Sequence, residues 1–274
     1  MLRKLFFLCL LLSYAHFAHA VSPAAYCRAY GVASCGLVVS ANQGITVEIF
    51  TGISGTGTFS DTLGLTWHQV RCDQNPFSSG NQRGTWLCAY WARTGANSGI
   101  DIVTFSVTSP AFSRFNVEAW NSTDIDVVSP NPVDSSFATS GTLVGIGGGS
   151  YVYAGGNITT AQANEIVTMT WTEQDDTYSS SQGGHGQAGT HLLSKVGLGT
   201  SDSDAGYGGT FFTTGCIQTC GSTPVYALAT FPAGTYSTMI TMVGINFYTG
   251  IMYQVVAWKP GTAVTAVHHQ AQII

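Results

Sequence analysis

Ile45-Thr46-Val47-Glu48-Ile49 is the stretch on which the fold class turns. Successive side chains of an extended strand point to opposite faces, so Ile45, Val47 and Ile49 share one face and Thr46 and Glu48 the other. The same alternation sets Val103, Phe105 and Val107 against Thr104 and Ser106, and Phe115, Val117 and Ala119 against Asn116, Glu118 and Trp120. Each segment predicts a half-buried strand, with one face in a core and one in water. Glu165 to Thr172, Val225 to Phe231, Met239 to Phe247 and Ile251 to Trp258 are apolar or aromatic on both faces, which predicts central strands or strands beneath loops. No segment outside the first twenty residues sustains a 3.6-residue apolar period with capping signals. The expectation is an all-β fold of about ten to twelve strands in two packed antiparallel sheets, a sandwich with little helix.

Leu65 to Val70 and Thr85 to Trp91 flank Asp73-Gln74-Asn75-Pro76-Phe77-Ser78-Ser79-Gly80, and a Cys72–Cys88 bond would close that loop at its base. This predicts a stapled hairpin with a projecting tip. Ser129-Pro130-Asn131-Pro132 through Ser140-Gly141 reads as a long crossover loop, because the strand rhythm is alike on both sides. Residues 21–274 are therefore expected to form a single sandwich domain.

The first twenty residues carry Arg3-Lys4, an unbroken apolar run from Leu5 to Leu12, and Ala18-His19-Ala20, the three regions of a cleavable export signal. The run is too short for a membrane span, and no later stretch replaces it. Charged residues are 8% of the chain and the net charge is −5, with Arg and Lys scattered singly. Nucleic acid and anionic membrane surfaces are excluded as partners on that ground, since both need clustered cations. Six cysteines lie beyond the export signal, an even number that predicts three disulfides in an oxidising compartment. Fifteen connectivities are open, and nearest-neighbour pairing is favoured: Cys27 with Cys35, Cys72 with Cys88, and Cys216 with Cys220.

Phe59-Ser60-Asp61-Thr62-Leu63-Gly64-Leu65-Thr66-Trp67 resembles the D-S-x-G-N-x-Y/W turn of a diffuse group of secreted bacterial β-sandwich proteins. Ile102 to Val107, the strand end Glu118-Ala119-Trp120-Asn121, and Ala163-Asn164-Glu165 opening a strand are similar to further motifs of that group. Leu65 stands where Asn is usual, and Asn121 where Gly is usual. The resemblance implies export and a jelly-roll or lectin-like sandwich; it implies no catalytic residue.

A glycosidase needs two carboxylates across a cleft, roughly 5–5.5 Å apart for retention or 6.5–9.5 Å for inversion. The glutamates are Glu48, Glu118, Glu165 and Glu173. Glu118 beside Trp120 and Glu173 beside Trp171 come nearest to such a site, because residues two apart on a strand share a face. Aromatic faces also stack on sugar rings, so Trp120, Glu118, Trp171 and Glu173 are the expected ligand-binding residues, with both tryptophans partly exposed. Asp124-Ile125-Asp126 and Asp202-Ser203-Asp204-Ala205-Gly206 are expected to be Asx turns, since Thr213 stands where a calcium loop needs glutamate. Gly183-Gly184-His185-Gly186 and His268-His269 lack the spaced partners of a zinc site, and Gly145 to Gly149 lacks the lysine of a phosphate loop. No metal or cofactor is expected. The sequence therefore points to a secreted, non-catalytic binding or cell-surface module with a glycan as the candidate ligand. The alternatives are a glycoside-active enzyme on a lectin-like sandwich and a structural protein of an assembly.

Overall fold

The structure, a computed structural model, describes residues 23–30, 34–51, 57–74, 76, 86–106, 114–144, 149–163, 165–175, 187–195, 198–202, 219–227, 233–245 and 248–261. The export signal, the hairpin tip at 77–85, Gly145 to Gly148, Asp204 to Gly206, His185, Cys216 and His268-His269 lie outside the described residues.

Sixteen strands and no helix are present among the described residues. They are β1 (Ala25–Tyr30), β2 (Ser34–Val39), β3 (Gly44–Thr51), β4 (Thr58–Ser60), β5 (His68–Gln74), β6 (Trp86–Arg93), β7 (Gly99–Ser106) and β8 (Arg114–Trp120). The second half contains β9 (Val133–Val144), β10 (Gly149–Thr160), β11 (Ile166–Asp175), β12 (Gln187–Lys195), β13 (Leu198–Asp202), β14 (Thr219–Ala227), β15 (Gly234–Ile245) and β16 (Tyr248–Trp258). All-β and antiparallel hold as expected, but the strand count exceeds the sequence estimate. The expected crossover loop is also corrected, because β9 begins at Val133 and pairs with β16 through Phe137↔Val255.

The strands form four sheets, ordered β1-β8-β3-β6-β5, β2-β7-β4, β14-β11-β16-β9 and β10-β15-β12-β13. Advancing each label by eight carries β1-β8-β3-β6 onto β9-β16-β11-β14, and β2-β7-β4 onto β10-β15-β12. The two halves differ in one strand. β13 extends the sheet beside β12, whereas β5 pairs with β6 instead of β4. Cys72 and Cys88 are register partners in that β5–β6 pair and are joined by a disulfide, which fixes β5 there.

Alternation explains the first core. Ile45, Val47 and Ile49 of β3, Tyr90 and Ala92 of β6, and Val117 and Ala119 of β8 pack against Leu37, Val39, Val103 and Phe105 of the β2-β7-β4 sheet. That smaller sheet is an outer layer: Val38, Ile100 and Ile102 on its far face are exposed. A second disulfide, Cys27–Cys35, ties β1 to β2 across the two layers.

The polar face of the five-stranded sheet departs from expectation. Thr46, Glu48, Asn116 and Glu118 were expected in water, yet each is at most 3% exposed. The second half supplies the cover. Ala89, Trp91 and Trp120 from the first half meet Ile166, Val256 and Trp258 of the β14-β11-β16-β9 sheet in one core cluster. The five-stranded sheet is therefore a middle layer, covered on both sides, and Trp120 is a core residue at 0% exposure.

Two stability changes follow. Trp120→Ala removes a large side chain from a site that cannot refill and is expected to cost about 3–5 kcal/mol. Cys72→Ser with Cys88→Ser opens a loop of sequence separation 16, and is expected to cost roughly 3 kcal/mol. Urea unfolding followed by tryptophan emission measures both; an unchanged midpoint in either variant would contradict the layer packing described here.

Candidate functional site

One carboxylate organises the turn between β4 and β5. Asp61 Oδ1 accepts the backbone amides of Leu63 and Leu65, each at 2.9 Å, and Oδ2 accepts the indole N–H of Trp67 at 2.9 Å. An aspartate that accepts amides two and four residues on closes the chain into a tight Asx-type turn. Gly64 sits inside it at φ +70°, a left-handed conformation that costs glycine nothing. Trp67 then stacks on Phe59 with 4.8 Å between ring centroids and joins the first core. Thr62 stitches the turn to β7: its hydroxyl lies 3.1 Å from Asp101 Oδ1 and accepts the Ile102 amide at 2.9 Å. Burial pushes the Asp101 carboxyl up, and the Asp61 charge adds to that rise.

The outer wall of this turn borders a cleft of about 320 Å³, lined by Gly64 to Thr66, His68, Trp91, Arg93, Asn97 and Pro130. His68 begins β5 and is the register partner of Trp91 in β6. Their rings stack at 4.4 Å and 21°, so the imidazole covers the indole, which is 7% exposed, and His68 is itself exposed. The Arg93 guanidinium lies over the Trp91 ring, 4.9 Å from its centroid. Its Nη2 donates to the Ser129 carbonyl, and its Nε has no acceptor among the described residues. On the rim, Asn97 Nδ2 donates to the Leu63 carbonyl at 3.3 Å.

Asp126 holds the opposite wall. It accepts the amides of Val128 at 2.8 Å and Ser129 at 3.1 Å, together with the Ser129 hydroxyl, which is the Asx turn expected there. Burial raises its carboxyl, but the Ser129 hydroxyl, the two amides and the Arg93 charge outweigh that and hold it below the usual range. Among the described residues no carboxylate lines the cleft itself. The arrangement offers an exposed aromatic ring, amide and guanidinium donors, and no acid or base pair.

The residues expected to bind ligand lie elsewhere. Glu118 and Trp120 share a face of β8, as predicted, but that face is sealed between sheets and both are 0% exposed. The Trp120 indole donates to Thr46 Oγ1 at 2.9 Å, Thr46 Oγ1 donates to Glu118 Oε2 at 3.3 Å, and the Asn116 amide donates to Glu118 Oε1. The partial exposure expected for Trp120 is thus corrected: the second half covers it. Trp171 and Glu173 are interior to their own sheet, their backbones paired with Tyr253 and Ile251 on one side and Ser222 and Cys220 on the other. Glu48 and Glu118 do form a diagonal pair, since Thr46 is opposite Glu118 and Glu48 opposite Asn116. Diagonal β-carbons lie roughly 7–8 Å apart, but this pair is enclosed. No cluster of three or more potential metal ligands occurs among the described residues.

Sequence reading missed His68, Arg93 and Asn97 as a group. The available signal was the stapled hairpin, which places β5 beside the end of β6.

No protein-family profile matches this chain, and no curated protein matches it. Among solved structures, the chain is similar to a protein from Eubacterium rectale provisionally described as secreted, at 11% sequence identity and a TM-score of 0.21. That match covers 87% of this chain and 70% of the other.

One further carboxyl pair sits outside the cleft. Asp134 Oδ2 accepts the Ala161 amide at 2.8 Å, and Glu165 Oε1 accepts the Gln162 amide at 2.9 Å, so both acids close the turn between β10 and β11. Burial pushes the Glu165 carboxyl up to about 7, and neighbouring Asp134 adds to the rise. An acid whose pKa is higher folded than unfolded favours folding while protonated. Its contribution is complete below the ordinary glutamate value of 4.5 and is lost as pH rises through about 7. The urea midpoint is expected to fall between about pH 5 and pH 8. Glu165→Gln should flatten that decline and exceed the wild type above neutrality, on the order of 1 kcal/mol. Parallel pH profiles for the two proteins would refute this.

Proposed function

We propose that this chain is a secreted, non-catalytic module that binds carbohydrate in the cleft between His68 and Pro130, built on two jelly-roll sandwiches in tandem. The fold part rests on the repeated strand order. β9-β16-β11-β14 facing β10-β15-β12-β13 is the interleaving of two four-stranded sheets by which a jelly roll is recognised. The first half follows it with β5 moved to the other sheet.

The functional part rests on one observation: an exposed ring, His68 stacked on Trp91, at the mouth of a cleft that also carries the polar side chains of Thr66, Arg93 and Asn97. Sugars present apolar C–H faces that stack on rings and hydroxyls that take directed hydrogen bonds, so they need both chemistries in one place. A volume of about 320 Å³ is at the small end of ligand sites, which suits one or two rings at the end of a glycan chain. The two disulfides suit an oxidising compartment. Glycoside cleavage is disfavoured because, among the described residues, the cleft holds neither of the carboxylates that reaction requires.

A glycan array probed with the purified protein tests the reading, followed by titration of each hit through tryptophan emission. His68→Ala and Asn97→Ala are each expected to weaken binding by roughly tenfold, about 1.4 kcal/mol. Trp120→Phe, in the core, should leave affinity unchanged. An array silent for every glycan class would end the proposal.

A further inference from the structure

We infer that the sugar carries an anionic group, a carboxylate or a sulfate, received by Arg93. This rests on the carbohydrate reading of the cleft.

The chain as a whole is acidic, at −5, yet among the described residues the cleft is lined by Arg93 and by no carboxylate. Arg93 acts on the Asp126 carboxylate only at longer range than an ion pair. Among the described residues the ion pair is Arg71 with Asp73, at 2.6 Å, and Arg93 has no carboxylate at ion-pair distance. Its Nη2 is held by a neutral carbonyl and its Nε by nothing among the described residues, so the guanidinium breaks no ion pair in turning toward an incoming anion. A buried donor without an acceptor is unfavourable, and an oxyanion that supplied one would offset that cost. Guanidinium groups match planar carboxylates and sulfates through paired donors, which an ammonium cannot do.

The nearby acids do not oppose this. Asp61 spends its oxygens on Leu63, Leu65 and Trp67, and Asp126 spends its own on Val128 and Ser129. Both point their acceptors into their own turns. Trp91, beneath the guanidinium, adds a cation–π contact that keeps Arg93 at the cleft.

The test uses the full secreted chain and matched oligosaccharides that differ only in charge: uronate trisaccharides and their methyl esters, sialylated and desialylated forms, and sulfated and unsulfated forms. At least one anionic member is expected to bind roughly tenfold more tightly than its neutral counterpart, with the preference shrinking as salt rises. Arg93→Gln should abolish the preference while leaving residual binding. Arg93→Lys should restore only part of it, because the charge returns without the fork. Equal affinity for charged and neutral partners in the wild-type chain would overturn the inference and leave the carbohydrate reading standing. Failure of every member to bind would remove both. Because the paired ligands are compared on the unmodified protein, the result does not depend on any variant folding.

Discussion

The architecture depends on a sheet whose central strands have no wet face. β3, β6 and β8 are covered on one side by β2 and β7 and on the other by β11 and β16, so every polar group on them must find a partner inside the protein. Thr46 is the pivot. It takes the indole proton of Trp120 and gives its own to Glu118, whose other oxygen takes the Asn116 amide. A network closed in this way stabilises one register and one only, since a one-residue slip would put each of these groups among the aliphatic side chains of the opposite face. The same seam holds the two halves together. Gln254 of β16 donates to Asp73 of β5 at 2.9 Å and lies 3.3 Å from the Leu87 carbonyl of β6, while Arg71 grips Asp73 from its own strand. Burial raises the Asp73 carboxyl, but these donors outweigh it and keep the acid ionised.

The cleft exists because β5 is irregular. The β5–β6 register runs Cys72↔Cys88, Arg71↔Ala89, then Gln69↔Tyr90, leaving Val70 as an extra residue. Such a bulge turns the side chains beyond it to the other face. Counting by twos from Cys72 would put His68 on the first-core side with Cys72; the bulge sends it instead to Trp91. Trp67 is turned the opposite way and enters the first core beside Phe59. A single inserted residue thus places one aromatic in the interior and a second at the surface.

This accounts for what the sequence disclosed and what it withheld. Alternation located β3, β7 and β8 because one face of each is aliphatic, while a motif resemblance marked the Asp61 turn, turn chemistry the Asp126 one, and nearest-neighbour pairing the Cys72–Cys88 bond, all of them local features. Alternation cannot tell water from a second protein layer that mixes Ile166, Val256 and Trp258 with Thr168 and Gln254. Glu48 and Glu118 therefore looked solvated and Trp120 half-exposed, when β11, β14 and β16, more than forty residues away in sequence, cover them. The strand from Val133 was hidden in a similar way: Asp134, Ser135, Ser136 and Ser140 carry no β signal, and the pairing with β16 imposes the extended state. The His68 placement was illegible for a narrower reason, since period-two counting fails wherever a bulge intervenes.

The walls of the cleft also explain its charge. Each is an Asx-type turn whose aspartate gives its oxygens to backbone amides, Asp61 on one side and Asp126 on the other. The turns are rigid for that reason, and Asn97 fixes the Leu63 carbonyl between them. Rigid walls reduce the ordering that a ligand must bring about on binding. The bonds that stiffen them also occupy the oxygens of both carboxylates, and neither aspartate is among the described residues that line the cleft beside Arg93. Positive character in a protein of net charge −5 thus arises from how its acids are used, with no concentration of basic residues. Replacing either aspartate would loosen a wall and alter the local field together, because the same hydrogen bonds supply both.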